Sequence, residues 1–165
     1  LEDAISRPVL RRPSRIRLGS RPMEVSGFVE RREQEGLFET VLSGASGRTV
    51  LTGMRGSGKS QLATAVAARC EAEDWPLVAW VPAGSREAVL SGLAELGREL
   101  GVDVEDGPSR EVIAQRCLTA LASAQGSNRL IVFDDVENPD DLTGLVPRGE
   151  GVRVLGSAPP PFNVL

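Results

Sequence analysis

The chain has 165 residues, of which 41% are hydrophobic and 25% are charged, and its formal net charge is -4. This size and composition fit one soluble globular domain and exclude two full domains. The acidic balance argues against nucleic acid or an anionic membrane as an electrostatic partner, and no apolar run approaches the length of a membrane span.

Histidine is absent from the sequence, and cysteine occurs only twice. Without histidine, Ser-His-Asp and Cys-His mechanisms are excluded, so any catalysis must use carboxylates, a metal or backbone dipoles. Cys70 and Cys117 fall in alanine-rich helical patterns, where cysteine usually acts as a small buried apolar residue. We therefore expect neither a disulfide framework nor a metal cluster, and a reducing cytoplasm is the expected location.

Residues 1–24 contain six arginines and three prolines without a sustained apolar period. This composition predicts an extended linker or tail, and an arginine-rich arm that contacts a partner or nucleic acid is the alternative. The chain starts at a leucine and shows no secretory signal, so we expect a fragment of a larger protein. The predicted organisation is a linker over 1–24, one domain over 25–158 and a proline-rich tail over 159–165.

Helix and strand patterns alternate from residue 28 onwards. Short apolar runs indicate strands buried on both faces, whereas apolar residues at intervals of three or four indicate amphipathic helices. Serine precedes two of the helical patterns as an expected N-cap. The predicted strands are 48–53, 77–82, 129–136 and 152–157, and the predicted helices are 28–42, 59–71, the segment from Ser85 to Leu100 and the segment from Ser109 to Ala124.

Strands that alternate with helices at this spacing imply right-handed crossovers and a three-layer α/β/α fold with a mainly parallel sheet. We expect this fold to be truncated after its fourth core strand. Ligands of such sheets bind beyond the carboxyl ends of the strands. Here those ends carry the segment 53–60, two aspartates and Ser157, so the polar chemistry should gather at one edge.

The segment from Gly53 to Ser60 reads GMRGSGKS and satisfies the pattern G-x-x-x-x-G-K-[S/T] of phosphate-binding loops. Its glycines let backbone N–H groups surround an anion at the start of a helix. Lys59 is the only lysine in the chain, and its compact ammonium can reach β and γ phosphates where the planar fork of arginine would not fit. A flexible surface turn is the alternative. The predicted nucleotide-binding residues are Gly53, Met54, Arg55, Gly56, Ser57, Gly58, Lys59, Ser60 and Gln61.

Two acidic residues, Asp134 and Asp135, stand near the end of the predicted strand at 129–136. A Mg²⁺ ion beside the phosphates needs oxygen ligands, and the Ser60 hydroxyl is the first. Asp134 is the predicted second metal residue, and Asp135 is placed to polarise the attacking water. Lys59 and Asp135 are therefore the predicted catalytic residues; a strand that merely ends in an acidic turn is the alternative.

The absence of guanine-recognition motifs narrows the choice of nucleotide base. Guanine recognition by the common GTPases uses N-K-x-D, which needs a second lysine that this chain lacks. Glu137 also stands where the pattern D-x-x-G would place glycine after Asp134. ATP and ADP are therefore favoured over GTP.

Together these residues resemble the nucleotide-binding core of the STAND ATPases, the NB-ARC family, particularly bacterial members with TPR-type repeats. GMRGSGKS resembles the family's GMGGxGKT loop, LVAWVP its tryptophan-bearing second strand and RLIVFDDV its double-aspartate strand. FVERRE at 28–33 is similar to the F-V-G-R-E entry motif, which implies that Arg31 lies against the nucleotide. The resemblance covers residues 25–157.

The resemblance implies a Mg²⁺-dependent switch that binds ATP or ADP and signals with other domains of a larger regulatory protein or by self-association. Pro159 stands near the place of the family's sensor arginine, so weak or no hydrolysis is expected. Two alternatives stay open. One is a degenerate phosphate-loop domain that acts by contacting partner proteins, and the other is an AAA-type ATPase that remodels substrates.

Overall fold

A computed structural model describes residues 15–23, 31–43, 47–54, 56–102, 107–126 and 128–160, with the backbone alone at 31–34. The chain alternates between strands and helices, as the apolar patterns predict. The elements are β1 (Ile16–Leu18), α1 (Arg31–Ser43), β2 (Arg48–Thr52), α2 (Lys59–Ala72), β3 (Leu77–Pro82), α3 (Arg86–Glu99), α4 (Arg110–Ser123), β4 (Arg129–Asp134), a 3₁₀ helix (Pro139–Leu142) and β5 (Val152–Ala158).

The five strands form one sheet in the order β1-β3-β4-β5-β2, and every pairing is parallel. The predicted α/β fold with a parallel sheet is therefore confirmed. Because β4 and β5 lie between β3 and β2, the ends of β2, β4 and β5 are neighbours at one edge. Among the described residues, no helix is long and apolar enough to cross a membrane.

The core consists of two apolar clusters, one on each face of the sheet. Successive residues of a strand point to opposite faces, so each central strand contributes to both clusters. On one face, α3 and α4 cover Leu77, Ala79 and Val81 of β3. On the other face, α1 and α2 cover Val78 and Trp80 of the same strand. This arrangement explains why the strand sequences are continuously apolar rather than alternating.

The predicted helices and core strands are present, with two differences at their ends. Residues 28–30 of the first predicted helix lie outside the described residues. The strand predicted over 129–136 ends at Asp134, because Asp135 adopts a left-handed backbone conformation with φ 54°. Ser85 and Ser109 cap α3 and α4, since their hydroxyls accept hydrogen bonds from Ala88 N and Val112 N.

Part of the segment predicted as a linker belongs to the sheet, since Ile16–Leu18 pairs with β3 as strand β1. The Ile16 N–H donates to the Pro76 carbonyl at 2.9 Å, and Ile16 and Leu18 pack against the cluster beneath α3 and α4. Arginines of the segment form ion pairs with α2, including two contacts between Arg21 and Glu71 at 2.8 and 3.0 Å. The linker prediction was wrong here because these partners lie some fifty to sixty positions away in the sequence and leave no local pattern.

Candidate functional site

The loop between β2 and α2 occupies the carboxyl end of β2, as the motif predicts. Gly58 precedes α2 with φ 84°, a conformation that costs glycine little and other residues more. A Cβ atom on Gly53 would lie 2.7 Å from the Ser57 hydroxyl, so a side chain there would require that hydroxyl to move. The backbone conformation of Gly58 is therefore the stronger requirement for glycine in this loop. Arg55 lies outside the described residues.

The Lys59 side chain folds back over this loop. Its Nζ atom donates to the Met54 carbonyl at 2.8 Å and to the Gly53 carbonyl, and it lies 3.5 Å from the Ser57 hydroxyl. The ammonium is thus held at the loop that is predicted to bind phosphate. The Met54 side chain itself is 77% exposed, so the loop uses this residue through its backbone.

Ser60 and Asp134, which were predicted to share a metal, are in direct contact. The Ser60 hydroxyl donates to Asp134 Oδ1 at 2.9 Å, although 74 positions separate the two residues. The contact forms because α2 starts beside the end of β4. A hydroxyl and a carboxylate side by side are oxygen ligands of the kind that Mg²⁺ prefers. The two side chains would hold a Mg²⁺ ion together with phosphate oxygens and water. The part of the chain that the structure describes contains no cluster of three or more acidic, histidine or cysteine ligands.

Asp135 lines a cavity of about 500 Å³ together with the phosphate loop. Its side chain is exposed and its backbone has φ 54°, a left-handed conformation that aspartate tolerates better than most residues. The Asp135 carboxylate is therefore exposed to solvent in the cavity that the phosphate loop also lines. The other lining residues are Gly56, Ser57, Gly58, Lys59, Ser60, Gln61, Val136, Glu137 and Pro159.

Three features of this site were not predicted. Ser157 is fully buried and bonds to Asp134, whereas the sequence placed it at the end of a strand without assigning it a partner. Glu137 lines the cavity, although the sequence gave it no role beyond the absence of a D-x-x-G pattern. The Gln61 side chain donates to the Met23 carbonyl at 3.1 Å, which brings the segment after β1 to the start of α2. The position of these residues at the ends of strands was the available signal for Ser157 and Glu137.

Besides Arg55, the structure leaves the contact predicted for Arg31 undescribed. Arg31 begins α1, but its side chain lies outside the described part of the chain, so its role against the nucleotide stays a prediction. A groove of about 680 Å³ between α4 and the 3₁₀ helix is larger than the cavity at the loop, but it contains none of the predicted site residues. The loop cavity is therefore the site that the chemistry favours.

Comparison with known proteins supports the fold. No protein family matches the sequence, and no curated protein matches it. Among solved structures, the chain is similar to the ORC2 protein of Aeropyrum pernix in ADPNP and ADP complexes, with 22% identity and a TM-score of 0.51. The match covers 85% of this chain and 43% of that one, so the chain spans less than half the length of its neighbour. With its loop, its parallel sheet and this similarity, the chain has a P-loop NTPase-like α/β fold.

Proposed function

We propose that the chain is a nucleotide-binding module that binds ATP or ADP with Mg²⁺ at the phosphate loop. The observation that carries this proposal is the 2.9 Å contact between the Ser60 hydroxyl and Asp134, because it joins the loop to an acidic strand end. A surface turn that only resembles the motif would have no reason to meet a carboxylate from β4. The cavity beside this contact supplies room for the phosphates.

Each loop residue has a distinct task in this proposal. The Lys59 ammonium exchanges the Met54 carbonyl for the β and γ phosphates, and the N–H groups of Ser60 and Gln61 bind the inner phosphates. Ser60 and Asp134 would hold Mg²⁺, which would neutralise phosphate charge. Asp135 orients and polarises the attacking water if hydrolysis occurs. Hydrolysis is weak or absent in this chain, since Pro159 stands where a sensor arginine is expected.

Adenine is the proposed base. The absence of a second lysine excludes the N-K-x-D mode of guanine recognition. The ORC2 neighbour was solved with ADPNP and ADP, and both are adenine nucleotides. We further infer a switch module of the STAND type within a larger cytoplasmic regulatory protein, which rests on the motif resemblance alone.

Two other functions fit the same fold. A degenerate phosphate-loop domain would keep these residues without nucleotide affinity and would act by contacting partner proteins. An AAA-type remodelling ATPase would bind and hydrolyse ATP, and the fold is compatible with it. The contact between Ser60 and Asp134 favours nucleotide use over the first of these, because an unused site has no need to keep a metal-binding pair together.

Calorimetric titration of the chain with ATP, ADP and GTP, each with and without Mg²⁺, tests the proposal. We expect binding of the adenine nucleotides, tighter triphosphate binding with Mg²⁺, and an affinity about 100-fold lower in Lys59→Ala. Met54→Leu is the matched control, because the loop uses only the backbone carbonyl of this exposed residue. Absence of binding by the unmodified chain would refute the proposed function and support the degenerate domain.

A further inference from the structure

Ser157 joins the two aspartates of the site through one hydroxyl group. It lies in β5 and is fully buried. Its Oγ atom donates to Asp134 Oδ1 at 2.8 Å and accepts a hydrogen bond from the Asp135 N–H at 2.9 Å. The predicted metal carboxylate and the predicted catalytic residue are therefore both tied to the same side chain.

The direction of these hydrogen bonds follows from the chemistry of the groups. The backbone N–H of Asp135 can only donate, so the Ser157 oxygen accepts from it and the Ser157 proton points to Asp134. The Ser60 hydroxyl donates to the same oxygen at 2.9 Å. Oδ1 thus has two hydroxyl donors, and if the Ser60 oxygen turns to a metal, Ser157 still fixes the orientation of the carboxylate.

The backbone at Asp135 also depends on Ser157. A non-glycine residue at positive φ is strained by about 1–3 kcal/mol and persists only where its surroundings hold it. Here Ser157 holds both sides of the turn, because its hydroxyl accepts from the Asp135 N–H and its carbonyl accepts from the Val136 N–H at 2.8 Å. Without the hydroxyl, the Asp135 N–H would lose the partner that favours this conformation.

We propose that Ser157 is a positioning residue that couples the metal carboxylate Asp134 to the direction in which Asp135 presents its side chain. It acts without touching the nucleotide, since it is buried and is not among the residues that line the cavity. This inference rests on the proposed function, because positioning matters only if Asp134 and Asp135 serve a bound nucleotide.

The test uses the variants Ser157→Ala and Ser157→Thr in the full chain. In Ser157→Ala we expect affinity for ADP without Mg²⁺ to stay unchanged and the gain in ATP affinity on adding Mg²⁺ to fall by about tenfold, as when other partners of metal ligands are removed. Ser157→Thr keeps the hydroxyl and should restore most of the gain. Val154→Ala, a truncation at another buried residue of β5, is the control for loss of packing and should leave the gain intact.

A second measurement tests, without nucleotide, whether Ser157 holds the backbone of Asp135. Amide hydrogen exchange at Asp135 should be at least about tenfold faster in Ser157→Ala than in Ser157→Thr, because the alanine variant loses the hydroxyl acceptor. Equal exchange in the two variants would overturn the proposal, and so would an equal loss of affinity with and without Mg²⁺. If the unmodified chain binds no nucleotide, the proposed function and this coupling both fail, whereas binding without a selective Mg²⁺ effect refutes the coupling alone.

Discussion

The Lys59 ammonium donates a hydrogen bond to the Met54 carbonyl at 2.8 Å. The group that is predicted to bind phosphate is therefore bonded to a carbonyl of its own loop. In the proposed function a nucleotide would replace this contact, and the exchange would be favourable because a phosphate oxygen carries more charge than a carbonyl. Lys59→Ala should lower nucleotide affinity by about 100-fold, the scale of a hydrogen bond to a charged group. Calorimetry measures this loss. Retained affinity in the variant would show that the nucleotide binds elsewhere.

Asp134→Asn separates the charge of the proposed metal carboxylate from its hydrogen bonds. The asparagine oxygen can still accept from Ser60 and Ser157, so we expect thermal stability close to that of the unmodified chain. The charge that attracts Mg²⁺ is lost, and the Mg²⁺-dependent part of ATP affinity should fall by about 10- to 100-fold. Titration of ATP against fixed Mg²⁺ concentrations gives the result. A stable variant with full Mg²⁺ dependence would exclude Asp134 as a metal residue.

Asp135→Asn should spare binding and remove turnover. Asparagine tolerates positive φ as aspartate does, so this variant keeps the backbone at φ 54° where alanine would add strain. Loss of a general base lowers rates by about 100- to 10,000-fold, and any phosphate release should fall on this scale while ADP affinity stays unchanged. Phosphate release and calorimetry on the same sample provide both numbers. Equal loss of binding and turnover would contradict the role assigned to Asp135.

The buried thiols Cys70 and Cys117 make stability sensitive to alkaline pH. Burial raises the pKa of each thiol from the ordinary 9.0 to about 12, with the Glu73 charge adding to the effect at Cys70. Above pH 9 the unfolded thiols ionise while the folded ones stay protonated, so the free energy of unfolding should fall as pH rises from 9 towards 12. Urea denaturation across this range measures the slope. The double variant Cys70→Ala and Cys117→Ala should have a flatter profile.

Leu93→Ala tests the packing of α3 against the sheet. Leu93 is fully buried in the cluster beneath α3 and α4, and truncation of such a leucine costs about 2–5 kcal/mol. Urea denaturation should show this loss as a lower midpoint. Val112→Ala, at a residue of α4 that is 40% exposed, is the control and should change stability by less than about 0.5 kcal/mol. Similar losses in both variants would mean that α3 is not part of a tightly packed core.

The strands and the loop could be predicted because their signals are local. The apolar runs at β3 and β4 are continuous, since both faces of these strands are buried. The parallel arrangement then required the end of β4 to lie near the loop, so the proximity of Ser60 and Asp134 followed from topology. These predictions needed no knowledge of side-chain conformation.

The parts of the site that could not be predicted depend on contacts between distant segments. Whether the Ser157 hydroxyl faces Asp134 or the opposite side of the sheet depends on the register between β4 and β5. The positive φ of Asp135 has no signal in the sequence, because aspartate occurs in many conformations. Strand β1 also lacks a local signal. Its three residues stand among arginines and prolines and form a strand only by pairing with the edge of β3.

The position of β1 on the outer edge of β3 affects how the protein should be expressed. A shortened protein that starts at residue 25, as the motif boundaries suggest, would lack this strand and expose the backbone N–H and C=O groups of β3. Uncovered strand edges of apolar sequence pair with other chains and aggregate. The shortened protein would also lack Arg15 and Arg21, which form ion pairs with Asp74 and Glu71 respectively, so these pairs would be lost beside that edge. Expression from residue 15 or earlier keeps the edge strand on β3 and should therefore reduce aggregation.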